Sequence, residues 1–251
     1  MSSSVVAIPA RLGSTRLRRK VLTDIGGQTL IRRTHGVAVA AGIGPVVVLT
    51  DSEEVADEVR AFGGDVLLTA VELDSGTARI AAVAEALDAD VVVNLQGDAP
   101  LTDPAVVARS AQQAKVSGAA VTMAVYRIED AADLHDASVV KVVRGHDGRV
   151  LYCSRSAIPH VRDEPADRWT ERARCLGHSG IYAYSRAFLR DFAALAASPL
   201  EDAERLEQLR WLQAGLHVHS FLVEPQGPSV DTAAQLERVR ATFALREGLP
   251  A

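Results

Sequence analysis

Cysteine is nearly missing from this chain: Cys153 and Cys175 are the only two among 251 residues. Two do not make a disulfide framework, and no Cys/His spacing of the kind that holds a metal accompanies them. Long hydrophobic runs are missing too. No apolar stretch approaches the ~20 residues a membrane-spanning helix needs, which argues against a membrane partner. Met1-Ser2-Ser3-Ser4 carries no cationic segment followed by an apolar one, so no signal peptide is expected, and a cytoplasmic location is. Basic residues are outnumbered, 27 Lys and Arg against 32 Asp and Glu, for a net charge of −5. With no basic face dominating, nucleic-acid binding is not expected. Two nucleotide signatures are also absent. There is no Gly-x-x-x-x-Gly-Lys run, and no Gly-x-Gly-x-x-Gly follows the first apolar run. These absences argue against a P-loop protein and a dinucleotide-dependent oxidoreductase.

What is present starts at the N-terminus. Val5 to Ile8 reads as a buried strand, ended by Pro9, which cannot donate to a sheet ladder. Ten residues, Arg11 to Lys20, then hold five cations: Arg11, Arg16, Arg18, Arg19 and Lys20. A cationic loop between the first strand of an α/β sheet and the next helix is where such folds bind phosphates. In an otherwise acidic chain, the loop points to a polyphosphate site.

Strand and helix patterns alternate through the first half. A helix is expected from Leu30 to about Ala41, stopped by Gly42 and Gly44. A strand follows over Pro45–Thr50, then a helix opened by Ser52-Glu53-Glu54 and closed by Gly63-Gly64. Asp65–Thr69 reads as a strand, Ala78–Leu87 as a helix and Asp90–Leu95 as a strand. The strands are apolar throughout, as helices on both faces of a parallel sheet require. The fold class is therefore α/β, a mostly parallel, doubly wound, Rossmann-like sheet. The order then changes. A helix over Pro104–Val116 and a strand over Ala119–Tyr126 lead to a hairpin, Val139–Val143 and Arg149–Cys153, around Gly145-His146-Asp147-Gly148. Ile158–Arg174 reads as a loop excursion, Ile181–Tyr184 as a strand and Arg186–Ala197 as a helix. One helix is expected over Leu200–Gly215, a strand over His217–Val223 and a last helix over Thr232–Arg246. One domain, residues 1–251, with an antiparallel subregion over about 135–200, is the simplest account.

Candidate chemistry collects at strand ends. Gln96-Gly97-Asp98-Ala99-Pro100 follows the fourth strand, and open parallel sheets bind ligands beyond their carboxyl ends. Asp98 is either a turn residue bonding its own backbone or a ligand facing the basic loop. Asp231, before the last helix, is either a cap or a second carboxylate. Two carboxylates beside a triphosphate would hold Mg²⁺, which prefers oxygen ligands and keeps waters. Ser75-Gly76-Thr77 with Arg79 makes another helix start after a strand, suited to an anion or a base edge. His217 and His219 share a strand face without a third ligand and read as structural.

These residues also carry a resemblance. Ile8-Pro9-Ala10-Arg11 with Ser14-Thr15-Arg16-Leu17 and Lys20 resembles the signature loop of sugar-acid cytidylyltransferases, specifically the 3-deoxy-manno-octulosonate (Kdo) cytidylyltransferase family. The match continues through Ser75-Gly76-Thr77, Gln96-Gly97-Asp98, Ser154-Arg155, His178 with Tyr182, Leu206-Glu207-Gln208 and Val230-Asp231-Thr232, over essentially the whole chain. The resemblance implies a Mg²⁺-dependent homodimer, with the antiparallel subregion forming the dimer contact. It would transfer CMP from CTP to a small acidic acceptor with release of pyrophosphate. Pro9, Ala10, Arg11, Ser14, Arg16, Lys20, Ser75, Gly76, Arg79, Gln96 and Asp98 would bind the nucleotide. Gln96, Arg155, His178, Tyr182, Glu207 and Gln208 would bind the acceptor, Asp98 and Asp231 the metal, and Arg11, Lys20, Asp98 and Asp231 would carry catalysis. One departure stands out: Arg18-Arg19 replaces the family's usual Pro-Gly. Two extra cations would suit a multiply charged acceptor such as phosphonoformate, an alternative to Kdo. A nucleotide-binding protein without catalysis is the reading from another class.

Overall fold

All six residues of the first strand, β1 (Ser4–Pro9), are buried. Val5 and Ala7 pack into one apolar cluster and Val6 and Ile8 into another on the opposite face. Since alternate residues point to opposite faces, an all-apolar strand must be covered on both sides. A computed structural model describes residues 3–13 and 17–248. In it, β1 lies at the heart of one sheet.

The elements run β1, α1 (Leu30–Ala40), β2 (Val46–Thr50), α2 (Glu53–Ala61), β3 (Asp65–Leu68), α3 (Gly76–Ala81), α4 (Ala84–Leu87), β4 (Val91–Asn94), α5 (Pro104–Ser117) and β5 (Val121–Arg127). There follow α6 (Ala131–His135), the hairpin β6 (Lys141–Arg144) and β7 (Val150–Ser154), α7 (Trp169–Arg172), β8 (Leu176–Ser185) and α8 (Arg186–Asp191). The chain closes with α9 (Pro199–Glu204), α10 (Gln208–Gln213), β9 (Val218–Leu222) and α11 (Ala233–Glu247). Strand order is β3-β2-β1-β4-β8-β5-β9, with the β6–β7 hairpin joined to β8. Pairing is parallel along β3, β2, β1 and β4 and between β5 and β9. Only β8 runs against its neighbours in that order, antiparallel to both β4 and β5. This is the mostly parallel α/β sheet that the alternating pattern implies.

The helix expected over Arg186–Ala197 ends at Asp191, α7 falls inside the expected loop excursion, and α6 was not expected; three further departures bear on the site. The helix expected over Leu200–Gly215 is two short ones, broken where Arg205 takes the left-handed backbone (φ 53°). Leu206, in the break, and Leu209, in the second half, still pack into one core, so the amphipathic pattern runs through the break. The helix expected over Ala78–Leu87 is likewise interrupted at Ala82–Val83. Finally, β8 begins five residues before Ile181. Gly177, His178, Ser179 and Gly180 give little strand signal, yet β5 supplies a ladder for them, with His178 opposite Val125 and Gly177 opposite Tyr126. Among the described residues, no helix is long and apolar enough to cross a membrane. Cys153 and Cys175 are free and buried.

Candidate active site

The turns after β1 and β4 touch. Gly97 donates its N–H to the carbonyl of Pro9 at 3.2 Å, and a Cβ on Gly97 would come within 3.0 Å of that oxygen. Only a glycine lets the two backbones approach so closely. Asp98 is thereby held over the loop that follows β1. From the far end of the chain, Val230 donates to the backbone carbonyl of Asp98 at 2.9 Å, which sets Asp231 alongside it. Thr232, with Gln235, makes the capping box of α11, leaving the Asp231 carboxylate free of that duty. Lys20 completes the group: its Nζ donates to Asp98 Oδ2 at 2.5 Å and to Asp231 Oδ1 at 3.0 Å.

A cleft of about 230 Å³ opens beside this ion triad. Pro9, Ala10, Arg11, Lys20, Asp98 and Asp231 line one side, and Ser75, Gly76, Arg79 and Gln96 the other. The residues singled out from sequence for nucleotide and metal thus face one space. Ser14 and Arg16 lie outside the described residues. Arg79, though it lines the cleft, is 2 % exposed. Its guanidinium donates to Thr69 Oγ1, to the carbonyls of Ala70 (3.2 Å) and Leu73 (3.4 Å), and to Asp51 Oδ2 at 3.2 Å. It braces the wall after β3. A buried cation with this many partners is costly to disturb from either side.

A second cavity, about 510 Å³, adjoins the cleft across Leu73, Asp74 and Ser75 and includes Glu207 and Arg205. Glu207 stands at the start of α10, beside the break at Arg205. It accepts from Ser75 Oγ at 2.7 Å and Thr77 Oγ1 at 2.5 Å. Burial pushes its carboxyl above the usual range, against the pull of those two hydroxyls. Next to it, Gln208 Nε2 donates to the Tyr182 hydroxyl, which lies 3.5 Å from His178 Nδ1. Desolvation of its ring lowers the His178 pKa to about 4, so the ring is neutral at pH 7, and its buried Nε2 has no partner. Arg155 does not join this group. It donates to the carbonyls of Ala137 (2.9 Å), Glu204 (2.7 Å) and Arg205 (3.3 Å), tying two loops together; like Gln208, Tyr182 and His178, which stand behind Glu207, it lines neither cavity.

Residues 5–220 match the sequence profile of the cytidylyltransferase family. The chain belongs to that family. It is 41 % identical over 245 residues to 3-deoxy-manno-octulosonate cytidylyltransferase of Escherichia coli, covering 97 % of each chain. It is also 41 % identical over 252 residues to the Haemophilus influenzae enzyme of the same name, covering 96 % of this chain and 99 % of that one. A solved CMP:2-keto-3-deoxy-manno-octonic acid synthetase complexed with CTP superposes with a TM-score of 0.92 at 41 % identity. That match covers 98 % of this chain and all of the other. A nucleotidyl transferase from Methanothermobacter, at 15 % identity and TM-score 0.59, shares the fold alone.

For a cytidylyltransferase the cleft has the parts nucleotidyl transfer calls for. Arg11 and Lys20 line the cleft, and the paired carboxylates Asp98 and Asp231 line it with them. Asp98 and Asp231 suit a hard divalent cation: their two oxygens flank one point, where the Lys20 Nζ sits, and no third Asp, Glu, His or Cys joins them among the described residues. Two carboxylates leave the remaining positions to waters and phosphate oxygens, as such cations prefer. Sequence reasoning missed Val21, Leu73 and Asp74 in the lining; behind it, Thr77 and Asn94 carried no assigned role and Tyr184 was missed. Tyr184 was the findable one, since it lies two residues after Tyr182 and shares its strand face.

Proposed function

We propose that this cytidylyltransferase transfers CMP from CTP to 3-deoxy-manno-octulosonate, as a cytoplasmic homodimer using Mg²⁺. The observation that carries the reading is the convergence of Lys20, Asp98 and Asp231 at the mouth of the Pro9–Arg11/Ser75–Arg79 cleft. The named relatives at 41 % identity over nearly their full length support the acceptor.

CTP lies across the loop after β1, its triphosphate against Arg11 and Lys20 and its nucleoside toward Ser75 and Gly76. The open N–H groups at the start of α3 suit an anion or a base edge. On Gly76 a Cβ would meet Gln96 and Pro9 at 3.1 Å, so glycine keeps that wall free. The acceptor meets Gln96, Glu207, Gln208, Tyr182 and His178. Its hydroxyl loses a proton, its oxygen bonds the α-phosphorus, and the α–β bridging bond breaks to release pyrophosphate. Asp98 and Asp231 would hold Mg²⁺, which would neutralise charge on the phosphates as that bond breaks. The protein does little covalent chemistry; alignment and electrostatics supply the rate.

The two extra cations do not favour a phosphonate acceptor. Arg19 pairs with Glu54, Arg18 is exposed, and neither lines the cleft. The test is pyrophosphate release from CTP with Kdo, phosphonoformate and neuraminate offered in parallel. Release with Kdo alone is expected. Release with phosphonoformate alone would overturn the acceptor, and release with none would overturn the activity. Sedimentation of the pure protein tests the dimer.

A further inference from the structure

Behind the cleft wall, five polar side chains form one unbroken chain. Gln96 Nε2 donates to Asn94 Oδ1 at 3.1 Å, and Asn94 Nδ2 to the Tyr184 hydroxyl at 3.1 Å. The Tyr184 hydroxyl lies 2.8 Å from Thr77 Oγ1, and Thr77 donates to Glu207 at 2.5 Å. Asn94, Tyr184 and Thr77 are all buried, so water does not finish the bonds for them. Only Gln96 and Glu207 reach the two cavities.

The direction of the chain follows from proton counting. An ionised Glu207 can only accept. Thr77 has one hydroxyl proton and spends it on Glu207, so it must accept from Tyr184. Tyr184 then has no proton for Asn94, so Asn94 turns its amide nitrogen to the tyrosine and its oxygen to Gln96. Gln96 must donate to that oxygen, which leaves its Oε1 as the atom presented to the cleft. One negative charge, four side chains away, thus fixes which end of a cleft amide faces the substrate.

We propose that Tyr184, Thr77 and Asn94 are positioning residues that hold Gln96 with its carbonyl oxygen toward the cleft, so that the site selects an acceptor hydroxyl donating to Gln96. This rests on the reading of the acceptor given above. Without Tyr184's hydroxyl, or with Tyr184 released from Thr77, the Asn94 amide is free to invert. Gln96 would then show its NH₂ group, which repels a donor. A pair of groups that both try to donate loses the bond and leaves a desolvated polar group besides.

The test uses the full chain and steady-state kinetics with CTP and Kdo, with thermal midpoints recorded alongside. Tyr184→Phe keeps the ring among Phe188, Trp211 and Tyr182 and removes only the hydroxyl. It is expected to raise the acceptor KM about tenfold, the scale of one lost hydrogen bond, while the CTP KM stays within about twofold. Should that variant not fold, the Thr77 pair carries the test: Thr77→Ser is expected to keep the wild-type acceptor KM and Thr77→Val to lose it as Tyr184→Phe does. Equal acceptor KM values in wild type, Tyr184→Phe and Thr77→Val overturn the inference. So does a parallel loss in both KM values and kcat that tracks a lowered midpoint, since that is the mark of a structural role alone. If wild type turns over no Kdo, the acceptor reading itself falls and takes this inference with it. Turnover with unmoved KM values sinks this inference and leaves that reading standing.

Discussion

Val230 and Asp98 are joined backbone to backbone, N–H to carbonyl at 2.9 Å, across 132 residues of chain. The bond staples the segment before α11 to the turn after β4 and puts two acidic side chains on one lysine. The carboxylates that the resemblance assigns to the metal are therefore bridged by the single Lys20 ammonium, which offsets one of their two negative charges.

That arrangement predicts separate effects on chemistry and on folding. Asp98→Asn is expected to lower kcat at least about 100-fold, the loss typical when one group that stabilises transition-state charge is removed. CTP binding, followed by calorimetry, should survive, because Arg11 and the start of α3 are untouched. Turnover near the wild-type rate would end the role given to Asp98.

Chelation offers a second check. EDTA should abolish pyrophosphate release, and excess Mg²⁺ should restore it, whereas Ca²⁺, larger and less exacting in geometry, should restore little. The free protein's melting temperature should not move in EDTA, since the Lys20 ammonium already bridges the acids. Full turnover in EDTA would rule out the metal.

Arg19 sits in the left-handed backbone region (φ 54°), where a side chain other than glycine costs about 1 kcal/mol. Its partner Glu54 is exposed, as is Arg19 itself (45 % and 63 %), so the ion pair contributes at most about 1 kcal/mol. Arg19→Gly is expected to leave stability unchanged or raise it by up to about 1 kcal/mol, while Arg19→Ala keeps the strained backbone, loses the pair and destabilises. Urea titration of both variants reads the difference. The acceptor KM should not change in either; a rise would return Arg19 to the substrate.

His178 makes acid stability measurable. Burial holds its pKa near 4, below the ordinary value of about 6.5. Between those values the unfolded chain binds a proton that the native ring refuses, so this contribution is intact above pH 6.5 and is lost as pH falls toward 4. Wild type should lose about 2–3 kcal/mol relative to His178→Gln between pH 7.5 and 4.5. A gap between the two that stays constant with pH would show that the ring is not buried as a neutral base.

How much of this was legible in the sequence varies from element to element. β1 could be read because both its faces are buried, and the cleft residues because they follow strand ends, where parallel sheets place their ligands. The break at Arg205 could not, because a lone left-handed arginine has no signature and the apolar pattern runs across it. Nor could Arg155 be placed: Ser154-Arg155 matched the family pattern, yet its side chain is spent on three carbonyls. The buried chain behind the cleft was invisible for a third reason. Thr77 and Tyr184 are 107 residues apart, and only the sheet order brings them together.

The reversed strand β8 also fixes what its side chains can be. Tyr182 lies opposite Asn94 and Tyr184 opposite Val92, with Ile181 and Ala183 alternating toward the other core cluster. Shifting β8 by a single residue would turn both phenols away from Asn94, Thr77 and Gln208 at once and put two hydrocarbon side chains in their place. Alignment of this strand is thus an all-or-nothing condition for the polar groups behind the cleft, and a molecule folded with the slipped strand would keep its sheet but not the bonds that reach Gln96 and Glu207.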